Sequence, residues 1–125
     1  MIVGIGMDVC PIERMSGILE RTGQAFCERV FTQVELDYAG NGKVRSERLA
    51  ARFAAKEAAI KALGAPPGIK WKDMFVVNDS TGAPRLGLDG VMAETARERG
   101  VTHMHLTLSH AGGIAVAVVV LEGAT

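Results

Sequence analysis

Residues 46–64, Ser-Glu-Arg-Leu-Ala-Ala-Arg-Phe-Ala-Ala-Lys-Glu-Ala-Ala-Ile-Lys-Ala-Leu-Gly, are the stretch on which the fold turns. Alanine is the best helix former and dominates the run. Ser46 is placed to cap a helix N-terminus, and Glu47 stands near the positive end of its dipole. Gly64 stops the helix, with Pro66 and Pro67 beyond. The spacing therefore predicts one long helix from Ser46 to about Leu63, with alanines that let a neighbouring element come close. Phe53, Glu57 and Lys61 lie four residues apart and share a face, while Arg52 and Lys56 form an adjacent stripe.

Toward the N-terminus, Ile2 to Val9 is apolar and punctuated by glycine, and reads as a strand. Pro11 sits where a first helical turn accepts proline. Ile12, Met15, Ile18 and Leu19 continue at helical spacing until Gly23 interrupts them. A second short helix is predicted over Gln24 to Val30, with Phe26 and Val30 facing inward. Thr32-Gln33-Val34-Glu35 is a capping-box pattern that opens another helix, closed at Gly40-Asn41-Gly42. Residues 41–48 otherwise match no recognised pattern.

Toward the C-terminus, strands take over. Trp71 to Val77 is one candidate, followed by the turn Asn78 to Gly82 and a short strand from Pro84 to Leu88. Asp89 can cap a helix across Val91 to Arg99, ended by Gly100. His103 to Ser109 and Ile114 to Leu121 flank Ala111-Gly112-Gly113 as a hairpin. With no internal repeat or linker, residues 1–125 read as a single α+β domain: an N-terminal strand, helices including one long central helix, then antiparallel strands.

Composition narrows the function classes. Fourteen Lys and Arg balance fourteen Asp and Glu. That balance argues against nucleic-acid binding as the main task. The two cysteines, Cys10 and Cys27, form neither a disulfide framework nor a zinc motif, and read as thiols in a reducing cytoplasm. Met1 leads directly into the first strand without a basic segment, so no signal peptide is predicted. No apolar run is long enough for a membrane span.

Three groups of residues invite chemistry. Asp8, at the end of an apolar strand, is either a metal ligand or a cap for the following helix. Glu57 and Lys61 are either a surface ion pair or part of a site in which Glu57 meets a metal and nearby cations meet an anion; magnesium suits the second reading, since it takes one or two protein carboxylates plus phosphate oxygens. Ser109-His110 is either a turn serine with a surface histidine or part of a cleft in which His110 acts as acid, base or phosphate contact. The two are not a nucleophile dyad, because adjacent strand residues point to opposite faces. His103, His105 and His110 define no zinc geometry. Gly4 and Gly6 lack the third glycine of a dinucleotide fingerprint, since position 9 is Val9, and read as sites of close backbone packing.

Taken together, Gly4-Ile5-Gly6-Met7-Asp8, an arginine shortly after, Phe31-Thr32-Gln33-Val34-Glu35-Leu36, the Arg52 to Ala62 helix and Ser109-His110 resemble the holo-acyl-carrier-protein synthase family of phosphopantetheinyl transferases. The resemblance spans Ile2 to Leu121, and the Arg52 to Ala62 stretch is its most specific part. It implies transfer of 4′-phosphopantetheine from coenzyme A to a serine of an apo-acyl carrier protein, with release of 3′,5′-ADP. It implies Mg2+ on Asp8 and Glu57, and Lys61 on the coenzyme A diphosphate. Arg52, Phe53 and Lys56 would serve the nucleotide half, Gly82 and Pro84 the adenine, and Ser109 and His110 the same cleft. Arg14 and Arg21 would face the carrier protein; their plain alternative is a solvated helix face. The resemblance further implies a cytoplasmic homotrimer with sites between subunits. Thr107 stands where the family often has serine, and Thr22 and Gln24 where relatives are often basic. Two rival readings are a coenzyme A or nucleotide binding module without chemistry, and another metal-dependent phosphotransferase or hydrolase; the lack of a G-x-x-x-x-G-K-[ST] segment argues against a P-loop enzyme.

Overall fold

Alanine spacing brings the long helix onto a sheet, and everything else is arranged around that contact. A computed structural model describes residues 1–124. Strand β1 (Ile2–Pro11) leads into helices α1 (Ile12–Val30), α2 (Gln33–Ala39) and α3 (Lys43–Ala62). A 3₁₀ turn (Trp71–Asp73) then precedes β2 (Met74–Asn78), β3 (Pro84–Leu88), α4 (Gly90–Glu98), β4 (Val101–Ala111) and β5 (Ile114–Gly123). The strands form an antiparallel sheet in the order β1-β5-β4 and a separate hairpin β2-β3. This is the α+β architecture expected.

α3 is the hub. Leu49, Ala50, Ala54, Ala55, Ala58 and Ala59 are buried, facing β1 and β5 on one side and α1, α2 and β2 on others. The inner row of β5, Ala115, Ala117, Val119 and Leu121, is buried beneath it, following the two-residue period of a strand. The β4–β5 hairpin closes on Gly112 and Gly113 at φ 60° and 81°. A two-residue turn with both φ values positive matches the strand twist, and glycine reaches it without strain.

Several boundaries differ from the sequence-based expectation. α3 begins at Lys43, not at Ser46, because Gly42 at φ 73° reverses the chain and its carbonyl accepts the Arg45 N–H at 3.2 Å. Ser46 lies inside the helix. The expected break in α1 is present as a kink at Thr22, one residue before Gly23, where φ/ψ of −137°/29° leaves the helical region between two helical stretches. Pro11 ends β1 and the helix starts one residue later. Trp71–Asp73 is a turn and not strand, because the Asp73 carboxylate accepts the Lys70 N–H at 3.0 Å and folds the chain back before β2 begins. Asp89 precedes α4 but makes no side-chain cap. The capping box is present: Thr32 Oγ1 accepts the Glu35 N–H at 3.3 Å, and Glu35 Oε1 accepts the Thr32 N–H at 2.9 Å.

Candidate active site

Gly4, Gly6 and Asp8 form one row on the α3-facing side of β1. A Cβ at Gly6 would overlap the Ala58 carbonyl oxygen, and one at Gly4 that of Ala62. The helix thus rests directly on strand backbone, and Asp8, next in the row, is carried to the flank of α3 that bears Glu57 and Lys61. Lys61 Nζ lies 2.9 Å from Asp8 Oδ1 and donates to the Met7 carbonyl at 3.1 Å. Lys61 therefore pairs with the strand and not with Glu57. Nor does Asp8 cap α1, whose N-terminus has Pro11 and no side-chain cap.

Partial burial, then the charge and hydrogen bond of Asp8, hold the Glu57 carboxyl above the usual carboxylate range; Lys61 and Arg14 draw it back. Arg14 is thus within electrostatic reach of the carboxylates, as is Cys10, a buried thiol pushed up chiefly by desolvation. A Glu57 carboxyl whose ionisation is opposed by the neighbouring Asp8 suits a hard divalent cation, which binds oxygen and would relieve that repulsion. Among the described residues no group of three or more His, Cys, Asp or Glu side chains could hold a metal. Asp8 and Glu57 would therefore supply two ligands, and water or substrate oxygens the rest.

A second cluster sits on the opposite flank of α3. Arg52 precedes Glu57 by five residues, so the two project roughly 140° apart around the helix. Arg52 lines a groove of about 350 Å³ with Tyr38, Glu47, Arg48, Ser109 and His110. Both guanidinium groups lie over the Tyr38 ring, Arg48 at 4.6 Å and Arg52 at 4.1 Å from its centroid. Arg52 is buried, its Nη2 donates to Asn78 Oδ1 at 2.6 Å, and its Nε has no partner. His110 is exposed, with Nε2 3.9 Å from Glu47 Oε2.

Lys56 departs from its expected role as a nucleotide contact. Its side chain is fully buried, its Nζ lies 2.8 Å from Glu35 Oε1, and it donates to the Met74 carbonyl at 2.5 Å. The second oxygen of Glu35 accepts the Val76 N–H at 2.9 Å. This ammonium fastens α3 to α2 and β2 and is not offered to a surface phosphate. Phe53 packs against Phe26 and Trp71, with ring centroids 5.9 Å and 5.1 Å away. Gly82 and Pro84 lie at the β2–β3 turn, where Asn78 Nδ2 donates to the Gly82 carbonyl at 3.0 Å. Arg14 and Arg21 are exposed on α1.

The structure thus brings together Asp8, Glu57 and Lys61, with Arg14 near them, and separately Arg52, Ser109 and His110. Tyr38, Arg48 and Asn78 were not foreseen. Only Arg48 had a legible signal, standing four residues before Arg52 on the same helix.

The family model for the 4′-phosphopantetheinyl transferase superfamily matches residues 4–119. A holo-[acyl-carrier-protein] synthase of Anaeromyxobacter dehalogenans strain 2CP-C is 52% identical over 127 residues, covering 99% of this chain and 98% of its own. Among solved structures, the holo-ACP-synthase of Plasmodium yoelii superposes with a TM-score of 0.85 at 28% identity, covering 100% of this chain and 98% of that one. The Helicobacter pylori holo-[acyl-carrier-protein] synthase in complex with coenzyme A gives a TM-score of 0.82 at 28% identity, covering 94% and 99%. The chain belongs to the 4′-phosphopantetheinyl transferase superfamily and, within it, to the holo-[acyl-carrier-protein] synthases. It is accordingly an enzyme, a transferase.

Proposed function

We propose that this chain transfers the 4′-phosphopantetheine arm of coenzyme A to a serine of an apo-acyl carrier protein, with Mg2+ held by Asp8 and Glu57. The observation that carries the reading is the side-by-side placement of those two carboxylates with Lys61 on an open flank of α3. Serine oxygen attacks the phosphorus that bears pantetheine, and the bond from that phosphorus to the departing 3′,5′-ADP breaks. A bound divalent cation would neutralise charge on the diphosphate. Lys61, whose side chain is 56% exposed, is free to turn from Asp8 to a diphosphate oxygen. Arg14, near the same carboxylates, adds positive charge where the anionic leaving group departs. The serine proton passes to a water beside Asp8; His110 lies in the other groove of the same chain. Arg14 and Arg21 face the carrier protein along α1.

The two clusters flank α3 on opposite sides, so a substrate that needs both would span two chains. The outer face of β1 supports a homotrimer: Ile5, Met7 and Val9 are exposed there at 63%, 55% and 47%. An apolar face of this kind marks a contact surface. Sedimentation equilibrium is expected to return three times the mass of one chain, and a monomer at all concentrations would overturn the shared site. No helix among the described residues is long and apolar enough to cross a membrane.

Incubation with coenzyme A, Mg2+ and an apo-acyl carrier protein, followed by mass spectrometry, tests the activity. A gain of one phosphopantetheine, abolished by EDTA and by Asp8→Asn, is the expected result. Coenzyme A binding without any gain across several carriers would leave a binding module instead.

A further inference from the structure

The side chain of Asn78 spans two regions to which the family resemblance gives separate tasks. At the end of β2, its Oδ1 accepts from Arg52 Nη2 at 2.6 Å, while its Nδ2 donates to the Gly82 carbonyl at 3.0 Å. One amide therefore ties a guanidinium of α3 to the tip of the β2–β3 turn. A short carboxamide suits this, since it accepts at one end and donates at the other. Both partners are otherwise well defined. The face of Arg52 is covered by Tyr38, and its Nε is buried with no partner. A buried guanidinium with unspent hydrogen-bonding capacity fits a group held ready for an anion. The turn is stiffened by Asp79, which accepts from Thr81, Ala83 and Arg85 and whose carboxyl lies well below the usual range because of the Thr81 and Arg85 hydrogen bonds.

We propose that Asn78 is a positioning residue for the nucleotide: it locks the Arg52 guanidinium to the Gly82 turn, so that the phosphate and the base of the substrate are read by one rigid unit. This rests on the proposed function and on the roles the family resemblance implies, with Arg52 serving the phosphate-bearing nucleotide half of coenzyme A and Gly82–Pro84 its adenine. Asn78 itself touches neither. Replacement by aspartate separates its two bonds, keeping the acceptor for Arg52 but setting a carboxylate oxygen against the Gly82 carbonyl.

Coenzyme A affinity, measured by calorimetry, and transfer kinetics are to be compared for wild type, Asn78→Ala, Asn78→Asp, Arg52→Gln and Arg52→Gln/Asn78→Ala, each checked for cooperative unfolding. Asn78→Ala is expected to weaken coenzyme A binding and raise its KM by about tenfold. It should leave kcat and the KM for the carrier within about twofold, a split that general loosening of the fold would not give. Asn78→Asp should bind nearly as poorly as Asn78→Ala. In the Arg52→Gln background the further loss from Asn78→Ala should fall below about twofold, because the two residues act through one bond. Wild-type affinity in folded Asn78→Ala, full rescue by aspartate, or independent losses in the double variant would each overturn the proposal. Absence of coenzyme A binding in wild type would instead remove the underlying reading and the proposal with it.

Discussion

α3 bears two acid–base clusters that begin at the adjacent residues Lys56 and Glu57, and they do opposite work. On one flank Glu57 and Lys61 meet Asp8 at a solvent-facing edge, with the Lys61 side chain 56% exposed. On the other, Lys56 meets Glu35 with neither side chain exposed at all. The residue types are the same; the surroundings are not. Glu35 divides its two oxygens among Thr32, Lys56 and Val76, so both are committed to the chain itself. In the Asp8–Glu57 pair one carboxylate opposes the ionisation of the other, and the exposed Lys61 beside them is free to leave. A charged pair sealed in the interior holds elements in register, whereas one left open and under-neutralised is available to a ligand.

The contrast is broken most sharply by removing one member from each side. Asp8→Asn should reduce transfer by roughly a thousandfold while the urea midpoint stays near that of wild type. Retained transfer would mean that the open cluster is not the reaction centre. Lys56→Met should do the converse, costing about 3–5 kcal/mol of stability because it strands Glu35 as an unpaired buried charge. Combining it with Glu35→Leu should recover part of that loss, as replacement of both charges often does. A Lys56→Met protein of wild-type stability with impaired coenzyme A binding would return Lys56 to the nucleotide site.

A smaller effect sharpens the comparison. Glu57 ionises less readily in the folded chain than in the unfolded one. Its contribution therefore destabilises the fold as pH rises through the carboxylate range toward neutrality, and vanishes below the unfolded pKa, where both states are protonated. In EDTA at neutral pH, Glu57→Gln should melt above wild type by a few degrees at most, and the difference should close toward pH 4. Added Mg2+ should raise the melting temperature of wild type and not of Glu57→Gln. Equal responses would take Glu57 out of the metal site.

Much of this was legible in the chain because the signals were local. The alanine-rich periodicity marks α3, the Thr32-to-Glu35 pattern marks α2, and paired glycines mark the β4–β5 turn. The true start of α3 was hidden because Gly42 caps through backbone geometry and presents no side-chain signature. Asp8, Glu57 and Lys61 could be singled out, two of them by shared helical spacing. Their meeting with Asp8 depends on a strand fifty residues away and was implied only by the family resemblance. Lys56 was misread because charges at four-residue spacing suggest an exposed stripe. Its neighbours Ala54, Ala55, Ala58 and Ala59 do place it on the buried arc. No pattern pointed to Asn78, whose role arises from two hydrogen bonds across different elements.

The glycine row in β1 has a mechanical consequence. Most helices rest on a sheet through a layer of interdigitating side chains, and that layer can creep as the side chains change rotamer. At Gly4 and Gly6 no such layer exists, and the carbonyl oxygens of Ala62 and Ala58 bear directly on the strand. The gap between β1 and α3 is consequently gauged by covalent backbone dimensions. Asp8 and Glu57, mounted on either side of it, keep their spacing as a rigid caliper would, however the rest of the core breathes.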